Sequence, residues 1–163
     1  MFEIVRSCEP SQPLTAGVFR INPDPSVPLA EVEQFALDNS DIISYHFYKK
    51  YNDHIKIIKR LKKEGRPIIN TEWLGRIFGN DVFSLIPLFY LEKIGCYNWG
   101  FVAGKYQTYE PWEGTWLRYE NGEYTDIDFT KRFHDLYRPN HRPYDPKEIA
   151  LIKEFCNLAD KEG

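Results

Sequence analysis

The sequence predicts an α/β fold built from parallel βα units, and three observations point there. Short apolar runs alternate with segments whose apolar residues recur at helical spacing. A glycine, Gly65 or Gly95, closes a helical segment directly before the next apolar run. Polar and aromatic residues gather at the carboxyl ends of the runs, whereas the opposite turns are plain Gly-Arg-Pro and Ile-Gly-Cys. Parallel strands joined by helices put all strand carboxyl ends on one face, so these residues converge on one mouth.

The elements follow in order. Residues 12–20 ("QPLTAGVFR") are expected as a strand, then a Pro-rich loop. Residues 29–40 are expected as a helix with Leu29, Val32, Phe35 and Ala36 on its apolar face. "DIISYHFY" (41–48) reads as a buried strand, and 52–65 as a helix with Asn52 or Asp53 as its N-cap. On that helix Ile55, Ile58 and Leu61 share one face, which leaves Lys56, Lys59, Arg60, Lys62 and Lys63 as a solvated outer face. "RPIINTEW" (66–73) is a third strand, 80–95 a helix, and 96–104 a fourth strand. Residues 105–124 form a polar-aromatic loop with a hairpin turn expected at Asn121-Gly122. A short helix over 126–139 and a last helix over 147–161 complete the pattern, so 1–163 is one domain with 105–163 as its closing segment.

A net charge of -3 supplies no positive field for a nucleic acid or a membrane surface, and no partner of either kind is expected. Aromatic residues make up 16% of the chain, enough to fill a large core or to line a site that stacks flat ligands such as sugars. Cys8, Cys96 and Cys156 are isolated and odd in number, which favours buried thiols over disulfides. His46, His54, His134 and His141 show no metal-binding spacing, and no phosphate-binding glycine loop occurs, so no metal or cofactor is expected. The opening "MFEIVRSCEP" has no apolar leader core, no window approaches a membrane-spanning length, and the compartment is unread.

Taken singly, the candidate site residues have ordinary structural readings. A lone strand-end Glu72, a hydrogen-bonded His46 and Tyr48 pair, a core Trp99 and a loop-packed Trp112 are all common. Their order changes the weighing: "YHFY", "NTEW" and "YNWG" end successive strands. In that order they resemble the second half of the retaining glycoside hydrolases with a (β/α)8 barrel, cellulase-like family 5 and its relatives. The opening "VRSCEPSQPLTAGVF" and the closing "FHDLYRPNHRPYDPKEI" also look like parts of such proteins.

The resemblance implies the carboxyl-terminal half of a TIM barrel, strands five to eight. It implies Glu72 as nucleophile, with Tyr48 donating a hydrogen bond that orients it. His46 would contact the sugar or orient its neighbours, Trp99 and Trp112 would form the floor on which the sugar stacks, and Arg76 and Lys105, near the same mouth, would bind its hydroxyls. The chemistry also needs a second carboxylate as acid and base, which the family carries after an Asn, and no Asn-Glu pair occurs here. A whole barrel takes roughly 250 residues. The expectation is therefore a hydrolase fragment, inactive alone, whose partners are a carbohydrate and the missing amino-terminal half, with self-association through open sheet edges. Two rivals stay open: a non-catalytic carbohydrate-binding or interaction module, and another barrel enzyme using Glu72 as a base.

Overall fold

The computed structural model describes residues 1–162. A three-stranded parallel sheet runs in the order β1 (Ile43–His46), β2 (Ile68–Trp73), β3 (Gly95–Asn98). Helices precede and separate the strands: α1 (Phe2–Arg6), α2 (Glu31–Asn39), α3 (Tyr51–Leu61) and α4 (Val82–Leu91). After β3 come α5 (Glu113–Glu120) and α6 (Pro146–Glu162), the latter packed on α4. The chain is thus an α/β protein of parallel units. Among the described residues no helix is long and apolar enough to cross a membrane.

The strands form where alternation and burial agree. Ile43 and Tyr45 of β1 are buried on the side of α3, where the Tyr45 ring meets His54. Trp73 of β2 stacks edge-on against Phe89 of α4, ring centres 5.2 Å apart. Burying each such side chain contributes about 1.5–3 kcal/mol, so this side of the sheet carries much of the stability. On α3, Ile57, Ile58 and Leu61 are buried with His54 while Lys56 and Lys59 stay exposed, as an amphipathic helix requires. A 3-10 turn over 62–64 ends in Gly65, whose φ of 66° suits a residue without a Cβ.

Several expected elements are corrected. Residues 12–20 do not form a strand; only Val18 bridges in parallel to Tyr45. The amide of Leu14 donates to the Asp41 carboxylate and that of Ala16 to Ser40 Oγ, so side chains occupy donors that a ladder would need. The expected fourth strand shortens to Gly95–Asn98. Helix α3 is capped by Lys50 through its backbone rather than by Asn52 or Asp53. The inward face of α2 is met in part: Leu29 and Ala36 pack against the core as expected, Leu37 and Glu33 are buried beside them, and Val32 and Phe35 are exposed. Glu33 is buried with a partner, because its carboxylate accepts the Phe19 amide at 3.2 Å.

The closing segment also differs. Residues 113–120 form a helix in place of the loop, and Asn121-Gly122 terminates it instead of turning a hairpin. No helix forms over 126–139. There the amides of Phe133, His134 and Leu136 donate to Tyr109, Thr108 and Phe101, which are distant in sequence. Tertiary partners have replaced the bonds of a helix.

Candidate functional site

The strand tips are set by an irregularity in β2. Tyr45 pairs with Asn70 but His46 pairs with Glu72, so β2 carries one extra residue. Asn70 Oδ1 accepts the Glu72 amide at 3.2 Å, a short local bond that shapes the bulge. The consequence is that Trp73 packs among the helices while Glu72 opens to the other side, level with His46.

There the Glu72 carboxylate is held at both oxygens. The Tyr48 hydroxyl donates to Oε1 at 2.7 Å, and His46 Nδ1 lies 3.1 Å from Oε2. Glu72 and His46 keep side-chain exposures of 23% and 32%, so the acid is anchored yet reachable. Burial, and then the bond to Glu72, hold the Tyr48 phenol far above its ordinary pKa, so it stays a donor at any physiological pH. Two glycines make this geometry possible. A Cβ on Gly17 would meet His46 Nε2 at 2.9 Å, and one on Gly75 would meet the Tyr48 ring at 3.1 Å.

Beneath the tips lies a residue with no functional signature in the sequence. Asn80 is fully buried, and its Oδ1 accepts the amides of Leu74 and Gly75 at 2.7 and 3.0 Å. Its Nδ2 donates to the carbonyl of Lys49 at 2.8 Å and lies 2.9 Å from His54 Nε2. One side chain thereby ties the end of β1 to the end of β2. His54 is pushed down to about 4, chiefly by burial, so its neutral ring accepts from Asn80. Asn80 also steadies Leu74, a bulky residue held at φ 83° directly after the strand.

Arg76 is corrected as a sugar contact. It borders the mouth, but its guanidinium is buried and committed elsewhere. It donates to both carboxylate oxygens of Glu148 (2.8 and 2.6 Å) and to the carbonyls of His134 and Asp135. Tyr144 closes over it, 4.6 Å from ring centre to guanidinium carbon. Arg76 is a staple between the tip of β2 and the closing segment. That segment in turn backs the site: His134 hydrogen bonds to the Leu74 carbonyl, and its ring lies 5.5 Å from that of Tyr48.

Of the expected aromatic contacts, Trp112 reaches the site and Trp99 stands apart. Trp112 lines a cleft of about 1200 Å³ with Glu72, His46, Tyr48 and Phe78. Its ring meets Tyr48 edge-on at 5.2 Å and rests on Phe133, leaving 45% of the residue exposed. Trp99 ends β3, with its amide bonded to the Trp73 carbonyl, and is 44% exposed outside the lining of this cleft. Lys105, on an exposed turn, does not line it either. The volume exceeds the roughly 300–1,000 Å³ of small-ligand pockets and suits an extended ligand. Among the described residues no three His, Cys, Asp or Glu come together to hold a metal.

Three further acids line the cleft, and each is engaged. Asp53 pairs with Lys56, Asp126 with Lys50, and Asp128 with Thr130 and Lys131. Hydrogen bonds from Thr130 hold the Asp128 carboxyl below its ordinary pKa. Comparison of the sequence with models of known protein families gives no match, and a search of curated proteins gives none.

Proposed function

We propose that this chain supplies the nucleophile side of a retaining glycoside hydrolase site, as the carboxyl-terminal half of a (β/α)8 barrel. The observation that carries the reading is the two-point hold on Glu72, from Tyr48 at one oxygen and His46 at the other. A nucleophilic carboxylate needs fixed aim, and hydrogen-bond partners at both oxygens provide it. In the first step a Glu72 oxygen bonds to the anomeric carbon while the glycosidic C–O bond breaks, and the leaving oxygen takes a proton from an acid. Trp112, 45% exposed at the wall of the same cleft, would contact the sugar.

The other carboxylates lining the cleft, Asp53, Asp126 and Asp128, are each paired with a lysine rather than left free to donate a proton. In this reading the acid therefore comes from the other half of the barrel. Two features of the sheet favour such a partner. Its strands are parallel and in sequential order, as in a barrel, and its far edge at β3 carries an exposed Tyr97. A second copy of the chain is the other occupant of those edges in this reading.

The test is labelling by an activated fluorinated aryl glycoside, whose leaving group hardly needs the proton. A covalent adduct is expected on Glu72, with none on Glu72→Gln. Tyr48→Phe should label about tenfold more slowly or worse, since a hydrogen bond to a charged group is worth roughly 1.5–3 kcal/mol. Labelling elsewhere, or none at all, overturns the nucleophile. The engagement of all three other cleft acids favours one second reading, a carbohydrate-binding module without catalysis. Oligosaccharide binding with no adduct would establish it.

A further inference from the structure

The cleft does not end at Asp53. Asn22, Pro23, Lys49 and Asp53 are also the wall of a second groove, about 690 Å³, that continues between the 22–25 loop and α3. Its lining is strongly basic, with Lys49, Lys56, Lys59, Arg60 and Lys63 against Asp24 and Asp53. Several of these charges are spent: Asp53 pairs with Lys56, and Arg60 holds the carbonyls of Asn22 and Asp24 at 2.8 and 2.9 Å. Among the described residues Lys49, Lys59 and Lys63 enter no ion pair.

An ordinary solvated helix face is built differently. On the exposed face of α6 the two signs are mixed, with Lys147, Lys153, Glu154, Asp160, Lys161 and Glu162. Lys59 and Lys63 stand four apart with no acid between them, a like-charge spacing that costs a few tenths of a kcal/mol. The positive field is local, because the whole chain carries a net charge of -3. It adjoins the one cleft that holds the anchored Glu72 carboxylate.

We infer that the ligand of this cleft is an anionic polysaccharide, a chain bearing uronic acid carboxylates, which passes from Glu72 along the groove past Lys49, Lys59 and Lys63. This rests on the carbohydrate reading of the Glu72 site and names its substrate class. The lysines act on carboxylates distant from the reacting sugar, as point charges that attract without fixing geometry. A nucleic acid is the other polyanion that a lysine-lined groove attracts; the carbohydrate reading of the Glu72 site, on which this inference rests, favours the sugar, and the test below separates the two.

The test uses the full chain and a matched pair of probes. One is a cellulose-derived oligosaccharide; the other is the same oligosaccharide with its primary alcohols oxidised to uronic acids. Calorimetric titration at about 0.01 M and about 0.15 M salt compares them, since screening at the higher salt weakens exposed charge contacts. The oxidised probe is expected to bind at least about tenfold more tightly at low salt, with the advantage shrinking at high salt. Lys59→Ala combined with Lys63→Ala should remove most of that advantage, leave the neutral probe's affinity unchanged and leave fluorinated-glycoside labelling of Glu72 intact. Equal or tighter binding of the neutral probe overturns the anionic substrate while the glycosidase reading stands. Single-stranded DNA binding as tightly as the oxidised probe overturns it too, as a surface that takes any polyanion. If neither sugar binds and Glu72 takes no label, the glycosidase reading falls with it.

Discussion

The seam between β1 and β2 and the edge at β3 are made of the same parallel strands but are finished differently. At the seam, Tyr45, Trp73, Leu74 and Asn80 are all essentially enclosed, and Asn80 and Arg76 lock the strand tips from beneath and from the side. At the edge, Tyr97 of β3 is 67% exposed. A parallel sheet is normally covered on both faces, and an open edge presents unpaired backbone groups. The contrast teaches that Glu72 is organised by the chain's own packing, whereas the side chain of Tyr97 on the outer strand stands mostly in solvent.

The sharpest way to break the seam is to remove Arg76. Arg76→Ala strands the Glu148 carboxylate in a buried site and frees the closing segment, and should cost about 3–5 kcal/mol in urea unfolding. Arg76→Met combined with Glu148→Leu should recover much of that loss, because the uncompensated charge goes as well. A single Arg76→Ala variant as stable as the parent would show that the staple is ornamental.

Acid should loosen the same seam. His54 is neutral in the folded chain down to about pH 4, against an ordinary value of 6.5. Between those values the unfolded state binds the proton and the folded state does not. Stability is therefore fully present above pH 6.5 and is lost as the pH falls toward 4, by on the order of 3 kcal/mol for His54. His134, also pushed down to about 4 by burial and by the Arg76 charge, adds to the same loss. Unfolding midpoints across that window should fall steeply for the parent and less steeply for His54→Gln. Equal slopes would remove His54 from the account.

The edge should answer least. Tyr97→Ser is expected to change the stability of the monomer by no more than about 0.5 kcal/mol, since the side chain is mostly in water. If Tyr97 faces a partner, sedimentation at rising concentration should show self-association that Tyr97→Ser weakens. A large loss of monomer stability would mean that the edge is already packed, and the comparison with the seam would fail.

Sequence alone determined the parallel βα pattern and the placing of Tyr48 and Glu72 at one end of the sheet, while their hydrogen bond was implied by the resemblance. Both follow from local periodicity, from glycines that stop helices, and from the rule that parallel strands end on one face. It did not reach the roles of Asn80, Arg76 and Glu33, because each is defined by a partner that sequence spacing does not reveal. Arg76 meets Glu148 across 72 residues, and Glu33 meets the Phe19 amide across 14. The missed strand at 12–20 and the absent helix at 126–139 have the same origin. Their backbone donors found Asp41, Ser40, Tyr109, Thr108 and Phe101 instead of local or ladder acceptors. Local pattern decides which segments are able to be strands or helices, but a buried donor takes whichever acceptor the folded chain brings within reach, and only the tertiary structure decides which that is.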